Sequence, residues 1–95
     1  IMAGVEMKTV AGATGGKIIA RVMPNLAARV GYGLSGLCGQ NLQKDQRILL
    51  QDLFEAVGSI VWIEKESMMD AVTAASGSGP GFFYYVMECY QKAVE

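Results

Sequence analysis

The 95-residue sequence contains no histidine, so this chain cannot hold a Ser-His-Asp or Cys-His catalytic arrangement or a histidine metal site. Its two cysteines, Cys38 and Cys89, form no CxxC pair, and neither a zinc site nor a disulfide framework is expected. We therefore expect no metal in this chain, and a reducing, cytoplasmic location fits the cysteine usage best.

The charged residues show no excess of either sign. Eight lysines and arginines and nine aspartates and glutamates are scattered along the chain, and they form no basic stripe that could follow a phosphate backbone. The longest uncharged run, residues 71–87, has glycines, serines and Pro80 in its middle, which exclude a transmembrane helix. Neither nucleic acid nor a membrane is an expected partner.

Hydrophobic periodicity and turn residues predict an alternation of strands and helices, which is the pattern of an α/β fold. The expected strands are 1–3, 17–23, 33–38 and 59–63, and the expected helices are 5–13, 43–57 and 67–75. Helix 43–57 has the clearest periodicity, because its apolar residues recur at three and four. The turn at 39–41 is expected to supply its N-cap, and Ser67 with Asp70 resembles a capping box for helix 67–75.

A last helix is expected to begin at Pro80, with Ser78 or Gly79 as its N-cap. Its polar residues form only a narrow stripe, whereas aromatic and aliphatic residues occupy the remaining sides. Such a helix needs cover from the rest of a longer chain, from a partner subunit, or from both. The first residues resemble the end of a strand and the last ones stop within a helix, so we expect an internal piece of a larger enzyme.

Two glycine-rich stretches resemble nucleotide-binding motifs. Gly31 to Gly36 matches GxGxxG, but a loop precedes it and a strand is expected to occupy it, so we favour a close-packed strand over a dinucleotide site. Gly12 to Lys17 is one residue short of a P-loop and joins a helix to a strand, the reverse of the required order. A turn at the end of a helix is the preferred interpretation of this second stretch.

Three other stretches together carry a resemblance to a known family: Ile1 to Val5, Arg21 to Asn25, and Asp70 to Pro80. In this order and spacing they resemble pyrroline-5-carboxylate reductase, over essentially all of the chain. Ser76-Gly77-Ser78-Gly79-Pro80 after D-A-V-T is the most specific element.

The resemblance implies the C-terminal portion of a Rossmann-like dinucleotide-binding domain in residues 1–76. Residues 77–95 would then be a hinge and the first helix of an all-helical dimerisation domain. The implied reaction is hydride transfer from NADPH or NADH to 1-pyrroline-5-carboxylate, giving L-proline in the last step of proline biosynthesis. A homo-oligomer formed through the helix after Pro80 is implied as well. The true GxGxxG and the loop that holds the substrate carboxylate would lie outside this chain, which alone should be inactive.

The resemblance also implies contacts with the cofactor at two turns. Ala3 and Gly4 follow the end of a strand, where open α/β sheets bind ligands, although a tight strand-to-helix turn explains them equally well. Pro24 and Asn25 hold a similar position after the next strand, and Asn25 can offer an amide to the nicotinamide. The family usually has Thr-Pro where this chain has Leu26-Ala27, which weakens the carry-over at Asn25.

For the substrate, the resemblance implies Glu66, Ser76, Gly77 and Ser78. Glu66 could stabilise the positive charge of a protonated imine, or it could be a solvated acid in the first turn of a helix. Ser76 to Pro80 could contact substrate, but a hinge and helix start is the favoured interpretation. No catalytic residue is assigned.

Two other hypotheses stay open. A two-domain reductase of the 3-hydroxyacid dehydrogenase type would share the order of helices and strands, but it would not explain SGSGP after D-A-V-T. A non-catalytic oligomerisation module would use the helix from Phe82 to Tyr90 as its interface. A strand followed by GxGxxG upstream of this chain would support a reductase.

Overall fold

The computed structural model describes residues 1–16 and 19–95; Lys17 and Ile18, the first two residues of a predicted strand, lie outside the described residues. Helices and strands alternate as predicted. In chain order the elements are α1 (Met7–Thr14), β1 (Ile19–Met23), a 3-10 segment (Leu26–Val30), β2 (Gly33–Gln40), α2 (Lys44–Glu55), β3 (Gly58–Trp62), a second 3-10 segment (Glu66–Met68), α3 (Met69–Val72), a π-helical segment (Thr73–Ser78) and α4 (Gly79–Val94).

The three strands form one mixed sheet with β2 at its centre. β1 pairs antiparallel with β2, with Val22 opposite Leu37, whereas β2 and β3 run parallel and are joined through α2. Arg47 of α2 stacks over the ring of Trp62 in β3, 4.2 Å from its centroid. The central strand is the most protected one, because Leu37 is only 1% exposed.

The core between the sheet and the flanking helices is rich in sulfur. Met7, Met23, Cys38 and Met69 are buried together there, and burial raises the pKa of the Cys38 thiol. Gly36 lets α3 approach the sheet closely, because a Cβ at this position would lie 2.8 Å from Cγ1 of Val72. The close-packed strand predicted for the glycines near Gly36 is thus confirmed.

The predicted strand at residues 1–3 is wrong. These residues are exposed, and the chain turns at Ala3 and Gly4, where Gly4 has a left-handed φ of 70°. A strand needs a neighbour for its backbone hydrogen bonds, and residues 1–3 pair with none of the described strands.

The most periodic helix, α2, is confirmed within one or two residues of its predicted ends, but its predicted N-cap is wrong. Strand β2 extends through Gln40, and Asn41 takes a positive φ of 57° in the turn that follows. The N-cap is Gln43, which forms a reciprocal capping box with Gln46; the Gln43 backbone N–H donates to Oε1 of Gln46 at 2.9 Å. The N-cap was predicted in the turn at 39–41, and it lies two residues beyond that turn, at Gln43.

The helix predicted to begin afresh at Pro80 is instead continuous with the helical residues before it. Ser78 holds the predicted N-cap position of α4, but it makes no side-chain cap hydrogen bond, and both Ser78 and Gly79 have right-handed helical dihedrals. The N–H of Gly79 donates to the carbonyl of Ala74, five residues earlier. Pro80 has no N–H to donate, and the wide π turn before it accommodates that loss. The predicted Ser67–Asp70 capping box is also wrong, because Ser67 lies inside the second 3-10 segment. The N-cap of that segment is Lys65, and no side chain caps it.

Candidate functional site

A cavity of about 310 Å³ lies between the N-terminal turn and the start of the long helical stretch; we call it the Gly4–Glu66 cavity. It is lined by Gly4, Glu6, Arg21, Glu66, Ser67 and Asp70. Residues from the turn, from β1 and from the second 3-10 segment thus meet in one place, although they are far apart in the sequence.

Glu66 joins these elements through a single carboxylate oxygen. Its Oε1 accepts a hydrogen bond from the backbone N–H of Met7 at 2.7 Å and another from Nη1 of Arg21 at 3.1 Å. Met7 is the first residue of α1, where the backbone N–H groups have no partner within the helix and the dipole favours an anion. The alternative interpretation of Glu66, a solvated acid in the first turn of a helix, therefore does not hold. Glu66 instead fastens α1 and β1 to the second 3-10 segment.

Arg21 is the most buried charged group at this site. Its side chain is 8% exposed and that of Glu66 is 24% exposed, so the ion pair lies largely out of water. Nε of Arg21 is buried without a hydrogen-bond partner in the part of the chain that the structure describes. Removing either partner would leave the other charge poorly compensated, which is costly in a protein interior.

The cavity carries more negative than positive charge. Among the described residues, three carboxylates line it, those of Glu6, Glu66 and Asp70, and the one lining cation, Arg21, is already paired with Glu66. Nζ of Lys8 donates to Oε2 of Glu6 at 2.7 Å on the surface, and this contact lowers the pKa of the Glu6 carboxyl, which stays ionised at neutral pH. Such a cavity favours a cationic group and disfavours a pyrophosphate.

The two turns predicted to contact the cofactor lie at different places. Gly4 lines the cavity and its left-handed backbone leaves open space where a side chain would be, while Ala3 is exposed beside it. Asn25, which follows Pro24 beyond the end of β1, accepts a hydrogen bond at Oδ1 from the N–H of Leu34 at 3.1 Å. That bond fixes the side chain against β2 and leaves its Nδ2 amide to donate elsewhere.

The residues predicted to bind substrate are not all brought together. Ser76 is buried, donates to the carbonyl of Val72 at 2.8 Å, and lines an apolar groove of about 270 Å³ together with Leu34. Gly77 and Ser78 are exposed on the π-helical segment. Ser76 lies ten positions after Glu66 along helical chain, roughly 15 Å at about 1.5 Å per residue. The structure therefore places Gly4 and Glu66 on one cavity. Ser76 lies instead on the groove lined by Leu34, the residue of β2 whose N–H donates to Asn25.

Four of the residues that line the cavity were not predicted from the sequence as site residues: Glu6, Arg21, Ser67 and Asp70. Arg21 is the charged residue of an otherwise apolar strand, which was a usable signal, because such a residue is rarely buried without a partner. Asp70 lies one helical turn after Glu66. Despite these acids, no group of three potential metal ligands that could hold an ion occurs among residues 1–16 and 19–95.

The surface of α4 is apolar and uncovered. Every residue from Gly81 to Glu95 is exposed, and Phe82 reaches 75%. The large exposed side chains are Phe82, Phe83, Tyr84, Tyr85, Val86, Met87, Tyr90 and Val94. A contiguous apolar surface of this kind is typical of a face that another element or subunit covers. No helix in the described part of the chain is long and apolar enough to cross a membrane.

Comparison of the sequence with known families identifies residues 66–95 as a match to a family described as pyrroline-5-carboxylate reductase dimerisation. The pyrroline-5-carboxylate reductase of Haemophilus influenzae is 49% identical over 79 residues, which cover 82% of this chain and 29% of that protein. The one from Methanosarcina acetivorans is 43% identical over 90 residues, covering 93% of this chain and 33% of the relative. The chain thus spans about a third of the length of these relatives.

Solved structures give the same result for the fold. A Plasmodium falciparum pyrroline carboxylate reductase with NADP bound superposes with a TM-score of 0.85 at 33% identity, over 95% of this chain and 36% of that one. A 1-pyrroline-5-carboxylate reductase from Streptococcus pyogenes gives a TM-score of 0.88 at 28% identity, over 96% and 36%. The predicted resemblance and the predicted fold class, a Rossmann-like sheet portion followed by the start of a helical dimerisation domain, are both confirmed.

Proposed function

We propose that this chain is part of a cytoplasmic reductase that transfers a hydride from NADPH or NADH to 1-pyrroline-5-carboxylate and forms L-proline. The observation that supports this most strongly is the 49% identity to a pyrroline-5-carboxylate reductase across 79 residues, because it includes both the sheet and the seam before α4. In this proposal residues 1–76 complete the cofactor domain, and residues 77–95 open the helical domain.

The residues present suit the nicotinamide end of the cofactor and not its pyrophosphate. Gly4 leaves open space at its turn and Nδ2 of Asn25 donates to none of the described residues, whereas the negative Gly4–Glu66 cavity would repel phosphates. The cofactor, when bound, supplies the hydride. The protein's part is to hold two planar groups face to face and to stabilise the charges around them.

Glu66 is the residue that we propose to meet the substrate. Its Oε1 is engaged by Met7 and Arg21, whereas Oε2 receives no hydrogen bond from any residue in the described ranges. Since Glu66 lines the cavity, Oε2 can face a protonated imine nitrogen and stabilise the positive charge that precedes hydride transfer. Ser76, Gly77 and Ser78 remain candidate contacts for another part of the ligand.

Assembly is proposed to occur through α4. Residues 66–95 match the family described as pyrroline-5-carboxylate reductase dimerisation, and α4 is exposed from Gly81 to its end. A homodimer or larger homo-oligomer would cover this apolar surface, and each additional 100 Å² of apolar area removed from water would contribute about 2.5 kcal/mol before the cost of association.

The activity is tested with the complete protein that contains this chain. We expect oxidation of NADPH or NADH that depends on added 1-pyrroline-5-carboxylate, with L-proline as the product. The 95-residue chain alone serves as the control and should show no turnover, since it spans about a third of its relatives. Reduction of another cyclic imine or a keto acid, without turnover of 1-pyrroline-5-carboxylate, would refute the assignment.

The role of Glu66 is tested with Glu66→Ala. We expect the KM for 1-pyrroline-5-carboxylate to rise at least about tenfold, because a charge-assisted hydrogen bond contributes about 1.5–3 kcal/mol, and the KM for the cofactor to change less. Glu64→Ala is the matched control, since it removes an exposed acid from the same connection. Steady-state kinetics with each substrate varied in turn give the result, and equal or negligible changes in both KM values would argue against this role.

A further inference from the structure

We infer that Arg21 is a positioning residue for substrate binding, acting through Glu66; this rests on the proposed function. Arg21 itself does not need to touch the substrate. Its Nη1 and the backbone N–H of Met7 hold the same oxygen of Glu66 from two different elements, β1 and α1. Two fixed donors define the plane of the carboxylate, which leaves Oε2 pointing in one direction.

The apolar core beside Arg21 does not itself require a charge at this position, although the Glu66 carboxylate, once present, needs a cation to compensate it. Arg21 lies opposite Cys38 in the sheet register and beside the core of Met7, Met23 and Met69. An apolar side chain of similar length would extend that core, and replacing a buried ion pair by apolar residues is often neutral or stabilising. A buried arginine at this position therefore has a role that packing does not supply, and its only ion-pair partner among the described residues is the Glu66 carboxylate.

No other cation reaches this carboxylate in the described structure. Lys8, which follows Met7 in α1, pairs with Glu6 at the surface, with side-chain exposures of 81% and 54%. Asp70 and Glu6 add negative charge around the cavity, which tends to push the Glu66 carboxylate away. Arg21 is therefore the group that keeps Glu66 at its place among these acids.

The experiment uses the complete protein and four variants: Arg21→Met, Arg21→Lys, Glu66→Gln, and Arg21→Met combined with Glu66→Gln. For Arg21→Met we expect the KM for 1-pyrroline-5-carboxylate to rise at least about tenfold, with the cofactor KM within about twofold of wild type. Arg21→Lys, which keeps the charge on a more flexible side chain, should restore most of the binding and leave about a threefold rise.

The double variant separates positioning from a general structural effect. Because Arg21 acts through Glu66, Arg21→Met should change the substrate KM by less than about twofold when Glu66→Gln is already present. Lys8→Met is the matched control, since it removes a cation from an exposed pair near the same turn, and it should leave both KM values unchanged.

Each outcome decides one question. A wild-type protein without turnover of 1-pyrroline-5-carboxylate overturns the proposed function itself. An active wild type with an unchanged substrate KM in Arg21→Met, or with fully additive losses in the double variant, overturns the role of Arg21 alone. If Arg21→Met does not fold in a thermal melt, the double variant carries the test, and a substrate KM more than about twofold above that of Glu66→Gln then overturns the inference.

Discussion

Replacing Gly58 by alanine is expected to lower the free energy of unfolding by at least about 3 kcal/mol. Gly58 has a φ of 144°, a region that only glycine occupies readily. A Cβ at this position would lie 2.1 Å from the carbonyl oxygen of Gly33 and 2.4 Å from its nitrogen. These are backbone atoms of the neighbouring strand, so no side chain can move aside, and the pairing of β2 with β3 must open at this end.

Gly12→Ala is the matched control for this substitution. Gly12 lies within α1, and a Cβ there would meet no atom within 4 Å. Alanine is the better helix former, so this variant should gain roughly 0.5–1 kcal/mol. Urea unfolding followed by circular dichroism should therefore move the two midpoints in opposite directions. Similar midpoints for the two variants would show that the contact between Gly58 and Gly33 is not a constraint on the fold.

Placing glutamates at Phe82 and Val86 is expected to dissociate the complete protein into monomers. The two residues are one helical turn apart on α4 and are 75% and 62% exposed. Each substitution removes an apolar side chain worth about 2 kcal/mol on burial and adds a charge that would have to leave water. Together these changes should weaken self-association by more than about a thousandfold.

Sedimentation velocity over a range of protein concentrations measures this effect, together with NADPH turnover at the same concentrations. Gln91→Glu, on the narrow polar stripe of α4, is the matched control and should keep the oligomer intact. An unchanged mass for the Phe82 and Val86 variant would contradict an interface at α4. Loss of folding at an unchanged mass would instead show that helices of the same chain cover this surface.

Much of the fold was predictable because its signals are local. The apolar spacing of α2 and the β-branched run of β3 each lie within a few consecutive residues, and both elements formed close to where they were expected. The strand predicted at residues 1–3 failed for the opposite reason. Whether an apolar segment becomes a strand depends on a neighbouring strand, and the sequence of the segment itself does not reveal one.

At the candidate site too, some residues could be predicted from the sequence and others could not. Gly4 and Glu66 could be predicted from the resemblance, and the structure places both on one cavity. The bond between Arg21 and Glu66 spans 45 residues of sequence, and no local rule connects the two side chains. The break predicted at Pro80 followed a correct local rule about proline, but the π turn offers a second way to tolerate a missing N–H.

The π-helical segment at Thr73–Ser78 also bears on how this protein can diverge between lineages. A π turn contains about one residue more than an α turn, so the helix after it is rotated by about 100° relative to an uninterrupted α-helix. A gain or loss of one codon within these six residues would therefore turn the whole aromatic surface of α4 toward a different neighbour. No side chain of α4 would need to mutate for the protein to acquire a different mode of assembly.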